Sequence, residues 1–73
     1  MNELELLKRL ESDFTYHPPK EGQMERYQEI RKQAHDFACE IVKMTPQSRE
    51  QSLALTNLEQ AVFWANASIA RNE

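Results

Sequence analysis

The sequence predicts an all-α protein: a short N-terminal helix followed by a long antiparallel helical hairpin, assembled as a homo-oligomer. Three observations carry that expectation. Apolar residues recur at helical spacings of three and four. The strongest helix breakers, Pro18-Pro19 with Gly22 and then Pro46, fall in two places and so leave three helical segments. Finally, the stretch Ala61–Arg71 is apolar around its whole circumference, with only Asn66, Ser68 and Arg71 polar. A helix that is hydrophobic on every side must be buried on every side. A chain of 73 residues has too little of itself to do that, so other copies, a ligand or a partner must cover it.

Taken in order, the first helix is read from about Asn2 to Asp13, with Leu7, Leu10 and Phe14 on one side. Asn2 is a suitable N-cap, and Glu3 and Glu5 sit in the first turn, where the helix dipole favours negative charge. The segment Thr15–Gly22 cannot continue the helix. Two consecutive prolines forbid it, His17 is pushed toward an extended conformation, and Gly22 closes the turn.

The second helix runs from about Gln23 to Met44. Its apolar face is Tyr27, Ile30, Ala34, Phe37 or Ala38, and Ile41. The opposite face carries Glu25, Glu29, Lys32, Asp36, Glu40 and Lys43, which reads as a solvated surface with Lys32–Asp36 and Glu40–Lys43 pairs. Thr45-Pro46-Gln47 ends it. Ser48 with Gln51 forms a capping box that starts the third helix, which runs to about Arg71. Leu55, Leu58, Val62, Ala65 and Ile69 make an unbroken seam for the second helix. A second stripe, Ala54, Ala61, Trp64 and Ala67, has no partner within the chain and marks the surface between copies. The two long helices would span about 33 to 36 Å, with the first helix folded against them.

Composition bounds the function. The whole chain, residues 1–73, is read as one hairpin domain. Nine basic against twelve acidic residues give a net charge of −3, which does not suit a binder of DNA or RNA polymers. No run approaches the ~20 apolar residues of a membrane span, and the acidic beginning is unlike a signal peptide. The expectation is a cytoplasmic protein with no membrane partner. The single cysteine, Cys39, excludes an intrachain disulfide and a thiolate zinc cluster.

No catalytic machinery stands out. His35 and Cys39 lie four apart on one helical face, but a dyad needs an orienting group and a metal needs further ligands. No Gly-rich loop, GxSxG or HExxH motif occurs. We therefore expect no enzyme, no cofactor and no metal site. The loop Phe14-Thr15-Tyr16-His17-Pro18-Pro19-Lys20 supports two readings. Phe14 and Tyr16 could plug the hairpin core. Alternatively, Tyr16 and His17 offer faces on which a base stacks, with Lys20 to meet a phosphate. Arg31 borders the apolar seam. Arg71 suits the C-terminal dipole, or presents a guanidinium to an anion at a subunit interface.

The pattern Phe14-Thr15-Tyr16-His17-Pro18-Pro19, then Gln23, Tyr27, Ile30-Arg31 and Ala34, resembles a known family. So do Pro46, Ser48, Glu50, Ala54-Leu55, Leu58-Glu59 and Ala61-Val62, and the ending Trp64-Ala65-Asn66-Ala67 with Ile69-Ala70-Arg71-Asn72. Together they look like the phage hairpin domain shared by the second anti-CBASS protein and the first Thoeris anti-defence protein. The resemblance implies a sponge in the infected bacterial host. It would bind cyclic oligonucleotide immune signals without degrading them, in compact helical oligomers, typically hexamers. Cyclic dinucleotides would sit between paired chains and cyclic trinucleotides near a threefold axis; some relatives take cyclic ADP-ribose signals. Carried over, Tyr16 stacks on a base and Arg31 meets a phosphate. Arg71 with Asn66 belongs to a trinucleotide-type pocket, and His17 and Lys20 are further loop contacts. The alternative from a different class is a helical adaptor or inhibitor that binds a host protein through the apolar third helix.

Overall fold

The computed structural model describes residues 2–73 and contains three helices, with no strand among those residues. Helix α1 spans Glu3–Asp13, α2 Gln23–Met44 and α3 Arg49–Asn72. The boundaries follow from local chemistry. The Asn2 side chain accepts a hydrogen bond from the Glu5 amide at 2.8 Å, satisfying one of the unpaired donors of the first turn of α1. Gly22 precedes α2 at φ +81°, a left-handed conformation that costs a residue without Cβ little. Ser48 Oγ accepts from the Gln51 amide at 3.1 Å and caps α3.

The capping box is only half formed. The Gln51 side chain does not return to the Ser48 backbone; its Nε2 donates to the Thr45 carbonyl and hydroxyl, both at 3.1 Å. That ties the end of α2 to the start of α3 and fixes the tight turn of the hairpin.

α2 and α3 pack along the seam that the sequence marks. Tyr27, Ile30, Ala34, Ala38 and Ile41 meet Leu55, Leu58, Val62, Ala65 and Ile69, all half-buried. Of the two candidates at the middle of α2, Ala38 takes the seam and Phe37 is exposed. The charged face is exposed throughout. Glu40 and Lys43 pair at 3.9 Å, whereas Asp36 faces His35 Nδ1 at 3.5 Å instead of Lys32.

The first helix departs from expectation. α1 is not folded onto the hairpin; essentially all packing between elements is between α2 and α3, and Leu4, Leu6, Leu7 and Leu10 all stay exposed.

The outcome is an elongated body of 48 × 30 × 15 Å. Its radius of gyration is 16.2 Å, against about 11 Å for a compact chain of this length. Its accessible surface of 6210 Å² exceeds by roughly a third the ~4700 Å² of a compact monomer of this mass. Among the described residues no hydrophobic side chain is fully buried; Phe63 is 70% and Trp64 67% exposed. The one buried residue among those described is polar, Gln23, at 4% exposure.

Candidate ligand-binding site

The six residues singled out from the sequence fall into three places. Tyr16, His17 and Lys20 lie in the loop between α1 and α2. Arg31 and Asn66 line a groove between α2 and α3, and Arg71 lines a separate pocket at the far end of α3.

The loop is held from behind. Thr15 Oγ1 donates to the Glu11 carbonyl at 2.6 Å, and His17 Nε2 lies 2.8 Å from the Ser12 carbonyl. A carbonyl oxygen only accepts, so Nε2 carries the proton. His17 thereby caps the end of α1, and Pro18-Pro19 fix the chain beyond it. Phe14 and Tyr16 do not plug the hairpin core; they are 86% and 80% exposed. The loop turns an aromatic face outward on a stiff base, so little conformational entropy remains to be lost on stacking.

Lys20 is engaged within the chain. Its Nζ contacts the Glu73 carbonyl oxygen, while its own amide donates to Gln23 Oε1 at 2.9 Å. Arg26 grips the Glu73 carboxylate through both terminal nitrogens, with Nη1 to Oε2 at 2.7 Å, and Gln23 Nε2 donates to Oε1 at 3.4 Å. The Arg26 hydrogen bonds hold the Glu73 carboxyl well below the usual carboxylate range, at about 2. The same bonds raise the Arg26 pKa. This clamp joins the start of α2 to the end of α3 across 47 positions, a distance no sequence spacing reveals.

The groove encloses about 750 Å³, within the range of small-ligand sites. Its wall is apolar, with Ala34, Ala38, Leu58 and Val62, while Arg31 and Lys43 bring positive charge to it and Glu59 one negative charge. Asn66 Oδ1 is buried without a hydrogen-bond partner. An orphaned acceptor of that kind costs about 1–3 kcal/mol until something supplies a donor. His35 and Cys39 line the same groove, 3.8 Å apart from Nε2 to Sγ. Among the described residues no group of three or more metal-ligating side chains gathers.

Arg71 does not share a pocket with Asn66 in one chain. Five residues along a helix turn through about 140° beyond a full turn, so the two side chains leave α3 on different flanks. Arg71 instead faces Asp13 at 3.6 Å, in a pocket of about 400 Å³ with Arg9, Ser12 and Asn72. Sequence reasoning missed Arg9 and Asp13. Their i, i+4 spacing was legible, but the approach of α1 to the end of α3 was not.

No helix among the described residues is long and apolar enough to cross a membrane. A family model described as Acb2/Tad1, hairpin domain, matches residues 7–70, from the middle of α1 to nearly the end of α3. No curated protein and no solved structure matches the chain.

Proposed function

Since the chain belongs to the Acb2/Tad1 hairpin-domain family, we propose that it is a phage anti-defence sponge. It binds cyclic oligonucleotide immune signals, dinucleotides or trinucleotides, and keeps them from their effectors without chemistry. The observation that carries the reading is the family-model match over residues 7–70. Tyr16 is aimed away from the body on a braced loop, and the Arg31–Asn66 groove holds an acceptor with no partner. Tyr16 stacks on a base, Arg31 neutralises a phosphodiester, and Arg71 serves a second site at the C-terminal end of α3.

The working form is a homo-oligomer, with hexamer the expected state. The surplus accessible surface is about 1500 Å², larger than the ~800 Å² that each partner contributes to a standard interface. Trp64 and the small residues Ala54 and Ala61 lie on one outer side of α3, and Phe63 stands exposed at the rim of the α2–α3 groove; together they leave apolar surface of the kind that obligate interfaces use. Burying them between copies would bring loops and arginines of different chains together, which one chain alone does not do.

The test is a retention experiment. The protein is incubated with 3′,3′-linked cyclic dinucleotides and with cyclic trinucleotides, washed, then heated, and the released material is identified by mass. Intact ligand recovered in stoichiometric amount supports sequestration. Linear products would mean an enzyme, and retention of nothing in the panel would refute the reading.

A further inference from the structure

The pocket beside Arg71 contains more than the sequence pointed to. It is lined by Arg9, Ser12, Asp13, Arg71 and Asn72, all polar, in contrast to the apolar groove between α2 and α3. Asp13 stands between the two guanidiniums. Its Oδ2 lies 3.6 Å from Arg9 Nε, and its Oδ1 lies 3.6 Å from Arg71 Nε.

Asp13 is poorly placed for helix stability. It sits in the last turn of α1, which holds no basic residue, and a carboxylate there opposes the helix dipole. The order Arg9 before Asp13 is also the weaker orientation for an i, i+4 pair. A surface pair of this kind contributes little to stability by itself. What the carboxylate does accomplish is geometric. It draws one guanidinium from α1 and one from α3 to the same pocket, and it approaches both on the Nε side.

Among the described residues no hydrogen bond occupies the terminal nitrogens of either arginine. Those nitrogens are the fork that binds phosphate oxygens in pairs. Two guanidiniums against one carboxylate leave the pocket with a surplus positive charge, in a chain whose total is −3. Ser12 and Asn72 add hydrogen-bonding side chains at its edge.

We propose that Arg9 is a second phosphate-binding guanidinium of the Arg71 site, that Asp13 positions the pair, and that the site takes a compact ligand bearing at least two phosphate groups. α1 is then part of the binding site, which explains why a helix that packs so little against the hairpin is tied to the end of α3. The inference rests on the reading of Arg71 as a phosphate-facing residue.

The test compares wild type, Arg9→Ala, Arg9→Lys and Arg71→Ala by calorimetric titration with 3′,3′,3′-cyclic triadenylate at several salt concentrations. Arg9→Ala should weaken binding roughly tenfold, as expected for losing charged hydrogen bonds, and should make affinity less sensitive to salt. Arg9→Lys should fall between, since it keeps the charge and loses the fork. If Arg71→Ala weakens binding while Arg9→Ala matches wild type in affinity and salt dependence, the inference is overturned and the Arg71 reading survives. If the wild type does not bind, or Arg71→Ala changes nothing, the Arg71 reading fails. Tripolyphosphate followed by the Nε–Hε resonances of the wild type then decides for the pocket alone. Shifts at both Arg9 and Arg71 support the paired site, and a shift at one or neither overturns it.

Discussion

The two flanks of α3 are built from residues of similar apolarity and have opposite fates. On the inner flank, Leu55, Leu58, Val62, Ala65 and Ile69 find α2 and become half-buried. On the outer side, Trp64 finds nothing and remains mostly exposed, as does Phe63 at the rim of the groove. The difference shows that apolar content alone does not place a residue in a core; a matching face at the right distance along the chain does. The tight Thr45–Ser48 turn brings α2 to the inner flank. Nothing in the remaining chain is long enough to cover the outer one, since α1 stands off. The hairpin is therefore a half-finished packing problem, which a second copy can complete.

That contrast can be broken most severely from the inside. Leu58→Asp removes an apolar side chain from the middle of the seam and puts a charge against the apolar face of α2. Far-ultraviolet circular dichroism should show loss of most helix, with assembly lost in parallel. Trp64→Glu acts on the other flank. It should leave the isolated hairpin's helicity largely in place while sedimentation drops toward the 8.6 kDa chain. If both variants lost helix equally, the two flanks would not be separable, and folding and assembly would be a single event.

Tyr16→Ala tests the loop. Its ring contributes to no packing within the chain, so the assembled mass should be unchanged. Loss of base stacking should weaken cyclic dinucleotide binding by about 1–3 kcal/mol. Ser48→Ala removes the α3 cap and should cost about 1 kcal/mol of stability, read from the thermal or denaturant midpoint without change in assembled mass.

The smallest effect belongs to the clamp of Arg26, Gln23 and Lys20 on Glu73. A carboxyl held near 2 in the folded chain contributes stability above its ordinary range, and that contribution is lost as pH falls toward 2. Glu73→Gln should lower the melting temperature slightly at neutral pH. The gap to wild type should close as the pH drops from about 4.5 to 2, because protonation removes the same charge in the parent.

What the sequence made legible was local. Asn2, Gly22 and Ser48 mark helix starts because a cap works within three or four residues, and the seam of α3 is visible because one helix face repeats on a fixed period. The family was legible too, in the Tyr-His-Pro loop and the ending around Trp64. What stayed hidden was set in three dimensions. Arg26 meets Glu73 and Asp13 meets Arg71 across more than forty positions, and neither pairing has a spacing rule. The loop held two readings for Tyr16 because an aromatic beside a proline suits a core plug as well as a stacking platform. Only the hydrogen bonds of Thr15 and His17 to the end of α1 reveal which way the loop turns. For the same reason Asn66 joins Arg31 and not Arg71: helical phase, not nearness in sequence, decides which side chains share a pocket.

Native mass spectrometry of the protein mixed with the cyclic oligonucleotide panel tests the central claim most directly, because it reports assembly and ligand together. The account predicts multiples of the chain mass, each carrying whole numbers of an intact cyclic nucleotide. A monomer at micromolar concentration that carries no ligand would contradict it.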